Sequence, residues 1–206
     1  MTRQQPGQAA HRPQRDFASL QPQMGDALLI IDLQNDFLPG GALAVPDGDA
    51  VIAPMNAWIE RFSGAGLPIL ATRDGHPPDH CSFLEQGGSW PAHCVAGTTG
   101  AKITAALALP PQARVVDKPG RSDVETYSAF AGTTLDAELR RAGSRRLWVG
   151  GLATDYCVLN TVLEALERGY AVVLLTAAMR AVNVRPGDGP RALNAMIERG
   201  ALVLED

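Results

Sequence analysis

Along most of the chain, short apolar runs alternate with segments of helical period. The runs fall at 27–31 (ALLII), 67–71 (LPILA), 114–116 (RVV), 146–149 (RLWV), 171–175 (AVVLL) and 201–204 (ALVL). Each is too short for a stable helix and dense in Leu, Ile and Val, which is the signature of a buried strand. Between them, 49–61, 99–107, 133–141, 155–168 and 190–199 carry apolar residues three and four apart, as amphipathic helices do. Gly66, Gly143, Gly169 and Gly200 stand where such helices would stop.

Near-continuous apolar strands separated by helices predict a mainly parallel sheet, because right-handed crossovers place a helical layer on each face. The expected fold is therefore a three-layer α/β/α domain with a six-stranded sheet. Ligands of such sheets lie beyond the carboxyl ends of the strands, where strand order reverses. The Gly- and Pro-rich stretches 75–100 and 118–132 read as loops over that edge rather than as domain boundaries. Residues 1–25, rich in Gln, Arg and Pro, read as a flexible N-terminal extension, and 26–206 as one domain.

Composition narrows the class. The chain has 206 residues, 46% of them hydrophobic, enough for one sizeable core. Its 18 basic and 22 acidic residues give a formal net charge of −4, so it lacks the basic footprint that nucleic acids and anionic membranes require. No apolar run approaches the roughly 20 residues that span a bilayer, and the head lacks the apolar centre of a secretory signal. Three cysteines, Cys81, Cys94 and Cys157, argue for free thiols in a reducing compartment, with the cytoplasm as the expectation.

The residues that come directly after the predicted strands form a concentrated set. Asp32 follows the first, Asp74-Gly75-His76 the second, Lys118 the third, and Gly151-Leu152-Ala153-Thr154-Asp155-Tyr156-Cys157 the fourth. Lys118 is one of only two lysines in an Arg-biased chain, and His76, His80 and His93 are three of its four histidines. At the start of a helix, Cys157 would meet backbone N–H groups and the positive end of the helix dipole, and a nearby ammonium would further favour its thiolate. Asp32 could then take the thiol proton and return it to a leaving amine. Asp74 and His76, two apart in extended chain, point to the same side, and His93 could close a three-ligand set that leaves positions open on a metal. Such donors suit zinc, iron or manganese. His80 is either a fourth ligand or a loop-orienting hydrogen bonder, and Cys94 reads as packed.

Taken with their neighbours, these motifs are specific. Asp32-Leu33-Gln34-Asn35-Asp36-Phe37, Asp74-x-His76, His80-x-Ser82-Phe83, Trp90-Pro91-x-His93-Cys94-Val95, Lys118 with Tyr127-Ser128-Ala129-Phe130, and Gly151 to Val158 together resemble the nicotinamidases (pyrazinamidases) of the isochorismatase-like cysteine hydrolases. The resemblance covers about 26–206. It implies a Rossmann-like six-stranded parallel sheet, a catalytic triad of Asp32, Lys118 and Cys157, and one divalent metal held by Asp74, His76 and His93, with zinc the first choice over iron or manganese. It also implies a cis peptide between Leu152 and Ala153 that aims the N–H groups of Ala153 and Cys157 at an oxyanion. Phe37, Trp90 and Tyr127 would flank a flat pyridine ring.

The activity implied by the resemblance is hydrolysis of nicotinamide to nicotinic acid and ammonia through a thioester, with pyrazinamide also accepted and a role in NAD salvage. The partner is a small molecule. Family members include monomers and larger assemblies, so a homo-oligomer is compatible with the sequence. Related amidases of ureido or carbamoyl substrates, or a non-catalytic protein on the same fold, are the alternatives; the former generally lack the Asp-x-His plus His set. One position departs from the family: similar enzymes usually carry Trp or Phe where this chain has Gly75, an absence expected to loosen the metal loop or enlarge the pocket.

Overall fold

The computed structural model describes residues 20–204. Most of the expected N-terminal extension lies outside the described residues, as do the last two positions. Within them, Leu20 packs against the core and Gln23 donates its backbone N–H to Asp26 Oδ2 at 2.8 Å.

All six strands form: β1 (Asp26–Ile31), β2 (Ile69–Arg73), β3 (Arg114–Asp117), β4 (Arg146–Leu152), β5 (Ala171–Arg180) and β6 (Leu202–Leu204). They build a single parallel sheet in the order β3-β2-β1-β4-β5-β6. Central β1 is buried at every position, with Leu28 facing Ile69 on one side and Trp148 on the other. Edge strand β3 buries only Val116. The β4–β5 register shifts between Val149 and Gly151, so β5 runs longer than the apolar run that announces it.

Four helices connect the strands: α1 (Ile52–Gly64), α2 (Leu135–Arg141), α3 (Leu159–Glu167) and α4 (Asp188–Glu198). Right-handed crossovers sort them by direction of travel across the sheet. Met55, Trp58, Ile59 and Phe62 of α1 pack on one face with Leu28, Ile30 and Trp148. Leu135 and Leu139 of α2, Val162 and Ala165 of α3, and Met196 of α4 pack on the other with Leu29, Ile31 and Val149. Trp58 and Trp148, with ring centroids 5.0 Å apart, anchor the α1 face. No helix among the described residues is long and apolar enough to cross a membrane.

One predicted helix is absent. The stretch 99–107 is a string of turns, although Ala101, Ile103 and Leu107 still pack on the α1 face as their spacing demands. Its backbone is engaged elsewhere: Lys102 O and Gly100 O accept the amides of Asn35 and Asp36, and Thr104 N–H donates to Leu33 O at 2.9 Å. Groups committed to the loop after β1 cannot close helical i to i+4 bonds. The crossover from β2 to β3 is thus an irregular segment that does the covering a helix would have done.

Candidate active site

Parallel strands deliver four consecutive chain ends to one edge. Asp32 directly follows β1, Asp74 follows β2, Lys118 follows β3 and Ala153 follows β4, and these four strands are neighbours in the sheet. The reversal of strand order falls between β1 and β4, where a crevice is expected.

Lys118 ties the group together. Its Nζ donates to Asp32 Oδ2 at 2.5 Å and to Cys157 Sγ at 3.2 Å, and lies 3.1 Å from Asp74 Oδ1. All of this is buried: Asp32 is 0% exposed and Lys118 5%. Thr72 completes the carboxylate, donating its hydroxyl to Asp32 Oδ1 at 2.6 Å while accepting the Asp32 amide at 3.2 Å. Asp32 itself adopts a left-handed backbone, φ 46°, a conformation that Asp tolerates better than most residues.

Burial, opposed by Lys118 and aided by Asp74, pushes the Asp32 carboxyl above its ordinary range. Burial alone would lower Lys118, but the Asp32 and Asp74 carboxylates more than offset it and hold the ammonium protonated well beyond a free lysine. Burial also pushes the Cys157 thiol well above its ordinary value; Lys118 pulls it down, yet Asp32 and Asp74 oppose that pull. The resting thiolate expected from the helix start and the lysine is therefore not the favoured state. In this site the thiol keeps its proton beside a carboxyl suited to receive it.

Cys157 lies in a wide π-type turn, Thr154–Val158, ahead of α3, with the Leu152–Ala153 peptide cis before it. Above the thiol opens a pocket whose wall includes Phe37, Trp90, Tyr127, Ala153 and Tyr156 along with Asp74, His76 and His93. Trp90, Tyr127 and Tyr156 form an edge-on cluster, with centroids 5.1 Å apart for Trp90–Tyr156 and 5.3 Å for Tyr127–Tyr156. Leu152 does not reach the pocket; its side chain is wholly buried in the core, so only its peptide borders the site. A larger depression, lined by Asp155, Leu159, Arg185 and Arg191, lies against α3 and α4 and includes none of Asp32, Lys118 and Cys157.

The histidines sort by their partners. His93 Nδ1 faces Pro91 O at 2.8 Å and so carries a hydrogen there. Burial lowers His76 to about 3, with His93 and His80 adding to the effect, so its imidazole is neutral. The rings of His76 and His93 are 5.0 Å apart, and His76 Nε2 is 3.9 Å from Asp74 Oδ2. Asp74 Oδ1 is buried and accepts no hydrogen bond, although the Lys118 ammonium pairs with it at 3.1 Å. A buried carboxylate oxygen that accepts no hydrogen bond, beside the neutral His76 imidazole and the His93 ring, fits a divalent metal.

A tighter group exists, since one ligand atom each of Asp32, Asp74 and Cys157 lie within 4.8 Å of one another. Lys118 Nζ already occupies the centre of that group, which makes it an ammonium site rather than a metal site. His80 joins neither set. Its Nδ1 accepts the Ser82 amide at 3.3 Å and lies 2.7 Å from Ser82 Oγ, and its Nε2 faces Val124 O at 3.2 Å. With both nitrogens engaged it orients the loop and packs at a tilt against His76, centroids 4.2 Å apart.

Two polar residues from the first loop, Gln34 buried and Asp36 half-buried, hold this arrangement. Gln34 Nε2 donates to Asp74 O and Ala101 O, both at 2.8 Å, and its Oε1 accepts the Asp74 amide. Asp36 Oδ2 accepts the amide of Cys94, next to His93. Gln34, Asp36 and Tyr156 lie inside the motifs that carry the resemblance but were given no role there, and Thr72 and Glu125 carried no signal in the sequence. At Gly75, a Cβ would meet nothing within 4 Å, and Gly75 is not part of the pocket wall.

A family model for the isochorismatase domain matches residues 26–205. The chain belongs to the isochorismatase family. Within that family it is 40% identical over 196 residues to the nicotinamidase of Escherichia coli, covering 85% of this chain and 92% of the relative. It is 37% identical to the nicotinamidase/pyrazinamidase of Mycobacterium tuberculosis, covering 75% and 88%. Among solved isochorismatase-family structures, the pyrazinamidase of Pyrococcus horikoshii in complex with zinc superposes with a TM-score of 0.84 at 44% identity, covering 88% of this chain and 99% of that one. PnC1 from L. infantum in complex with nicotinate gives 0.81 at 35% identity, covering 88% and 93%.

Proposed function

We propose that this enzyme hydrolyses nicotinamide to nicotinic acid and ammonia, deamidates pyrazinamide by the same route, and serves NAD salvage in the cytoplasm. Its class, an amide hydrolase, follows from relatives that carry nicotinamidase and pyrazinamidase names across nearly their whole length. The observation that carries the mechanism is the Lys118 ammonium bonded at once to Asp32 and Cys157, under an aromatic-walled pocket.

We assign Asp74, His76 and His93 to one divalent metal ion, zinc before iron or manganese; when bound, it supplies a Lewis-acid position for the ring nitrogen of the substrate and for ordered water. Phe37, Trp90 and Tyr127 grip the flat ring and hold its carboxamide over Cys157. As Sγ attacks the amide carbon, the thiol proton passes to Asp32, whose raised affinity for protons suits it to that task. The carbonyl electron pair moves to oxygen, where the N–H groups of Ala153 and Cys157 are assigned as its donors. Asp32 returns the proton to nitrogen, the C–N bond breaks, ammonia leaves and a thioester remains on Cys157. Asp32 then takes a proton from water as the water oxygen adds to the thioester, and gives it back to sulfur as the acid is expelled. Lys118 stays protonated throughout, holding Asp32 and sulfur in register.

Ammonia release from nicotinamide by the purified protein tests the reading. Cys157→Ala is expected to lower turnover by about three orders of magnitude or more, since the covalent route is lost; undiminished turnover would refute the mechanism.

A further inference from the structure

One acidic side chain in the pocket wall has no part in these steps. Glu125 is half-buried in the segment between β3 and α2 and borders the pocket beside Tyr127. The chain on either side of it is fastened. Ahead of it, Cys81 N–H donates to Ser122 O at 2.8 Å, and His80 Nε2–H donates to Val124 O at 3.2 Å. Behind it, Trp90 Nε1–H donates to the Tyr127 hydroxyl at 3.2 Å, and the Thr126 amide donates to Glu125 Oε1 at 3.0 Å. The carboxylate is thus held at the wall by its own backbone.

The basic side chains that share its pocket wall are two imidazoles, His76 and His93. Among the described residues no lysine or arginine lines the pocket, and Glu125 forms no ion pair. Lys118 lies beneath the floor with its ammonium spread over Asp32, Asp74 and Cys157. The field of Glu125 is felt next door, where burial first and then its carboxylate help hold the Tyr127 phenol up at about 12.

Resting on the proposed amide hydrolysis, the reaction admits an uncharged amide and leaves a carboxylate. We propose that Glu125 is a charge filter of this pocket, favouring uncharged aromatic amides over anionic ones and weakening the hold on the carboxylate product. A like charge across a partly desolvated pocket is worth about fivefold in affinity. It acts on the anion and not on the amide.

The test compares binding of nicotinate and nicotinamide, by calorimetry on metal-loaded protein in a Cys157→Ala background, across Glu125, Glu125→Asp, Glu125→Gln and Glu125→Lys. The ratio of the nicotinate Kd to the nicotinamide Kd is expected to hold with Asp, to fall about fivefold with Gln and further with Lys, and to converge in about 1 M salt, where screening is short-ranged. A ratio constant within about twofold, equal movement with Asp and Gln, or no nicotinate binding to any variant would overturn the filter. Ammonia release by the parent with Cys157 intact is measured alongside: its absence overturns the functional reading, whereas release with a flat ratio overturns only the role of Glu125.

Discussion

Asp36 and Cys94, 58 positions apart in sequence, are joined by a 2.7 Å hydrogen bond from the Cys94 amide to Asp36 Oδ2. Cys94 has a left-handed backbone, φ 46°, unusual for a residue with a side chain, so the turn that presents His93 is held against its local preference. Asp36→Ala is expected to let that turn relax and to cost about 10- to 100-fold in metal affinity, as loss of a supporting partner behind a ligand does. Competition against a graded chelator measures it, and unchanged metal retention would detach Asp36 from the site.

Thr72 shapes the proposed base in the same indirect way. Thr72→Val keeps the volume but removes the hydroxyl that donates to Asp32 Oδ1, leaving a buried carboxyl oxygen without a donor. Turnover is expected to fall about tenfold, in line with a lost hydrogen bond to a charged group, while Thr72→Ser restores most of it. The pH profile should shift upward on its acidic limb, because a carboxylate stripped of a donor holds its proton more tightly.

Burial lowers His76 from 6.5 to about 3, so the folded chain binds fewer protons there than the unfolded chain between those values. Its contribution to stability is complete above pH 6.5 and is lost as pH falls toward 3. Metal-free wild type should therefore lose melting temperature between about pH 7 and 4.5 more steeply than His76→Asn. Parallel slopes would show that His76 is solvated.

Alkylation separates the thiols. Cys157, raised by burial, should react with iodoacetamide slowly at neutral pH and faster as pH climbs beyond the range of ordinary thiols. The half-exposed Cys81 should react first. Rapid labelling of Cys157 at about pH 7 in the free protein would mean that the resting site holds a thiolate.

Gly75 and Gly120 make a contrasting pair. A Cβ on Gly120 would stand 2.4 Å from Gly75 O, so the loops after β2 and β3 can approach this closely only with glycine at 120. Gly120→Ala is expected to destabilise by about 2 kcal/mol, the scale of an overpacked site. Gly75→Trp, entering open space, should leave the melting temperature unchanged or raised, and thermal denaturation of both variants decides the matter.

The strands were legible because each is an apolar run bounded by turn residues, and the adjacent ends of β1 to β4 then account for why Asp32, Asp74, Lys118 and Cys157 share one edge. The helix expected at 99–107 fails to form for a physical reason. Ala101, Ile103 and Leu107 pack inward at helical spacing, but a turn-rich segment whose backbone bonds to residues 33–36 buries them equally well. Glu125 was illegible for a different reason. Its place in the pocket wall is set by how distant loops meet, and no local pattern marks a glutamate that ends up there. Thr72, inside a strand, is indistinguishable by pattern from any β-branched strand residue.

The segment that took the place of that helix divides the molecule into parts of unequal durability. The floor of the site is a sheet buried on both faces, whereas the wall that carries His76, Trp90 and His93 is built from turns, isolated bridges and single hydrogen bonds. Local opening costs least where regular structure and buried apolar contact are sparse. Amide exchange is therefore expected to be faster in that wall than in the sheet beneath it.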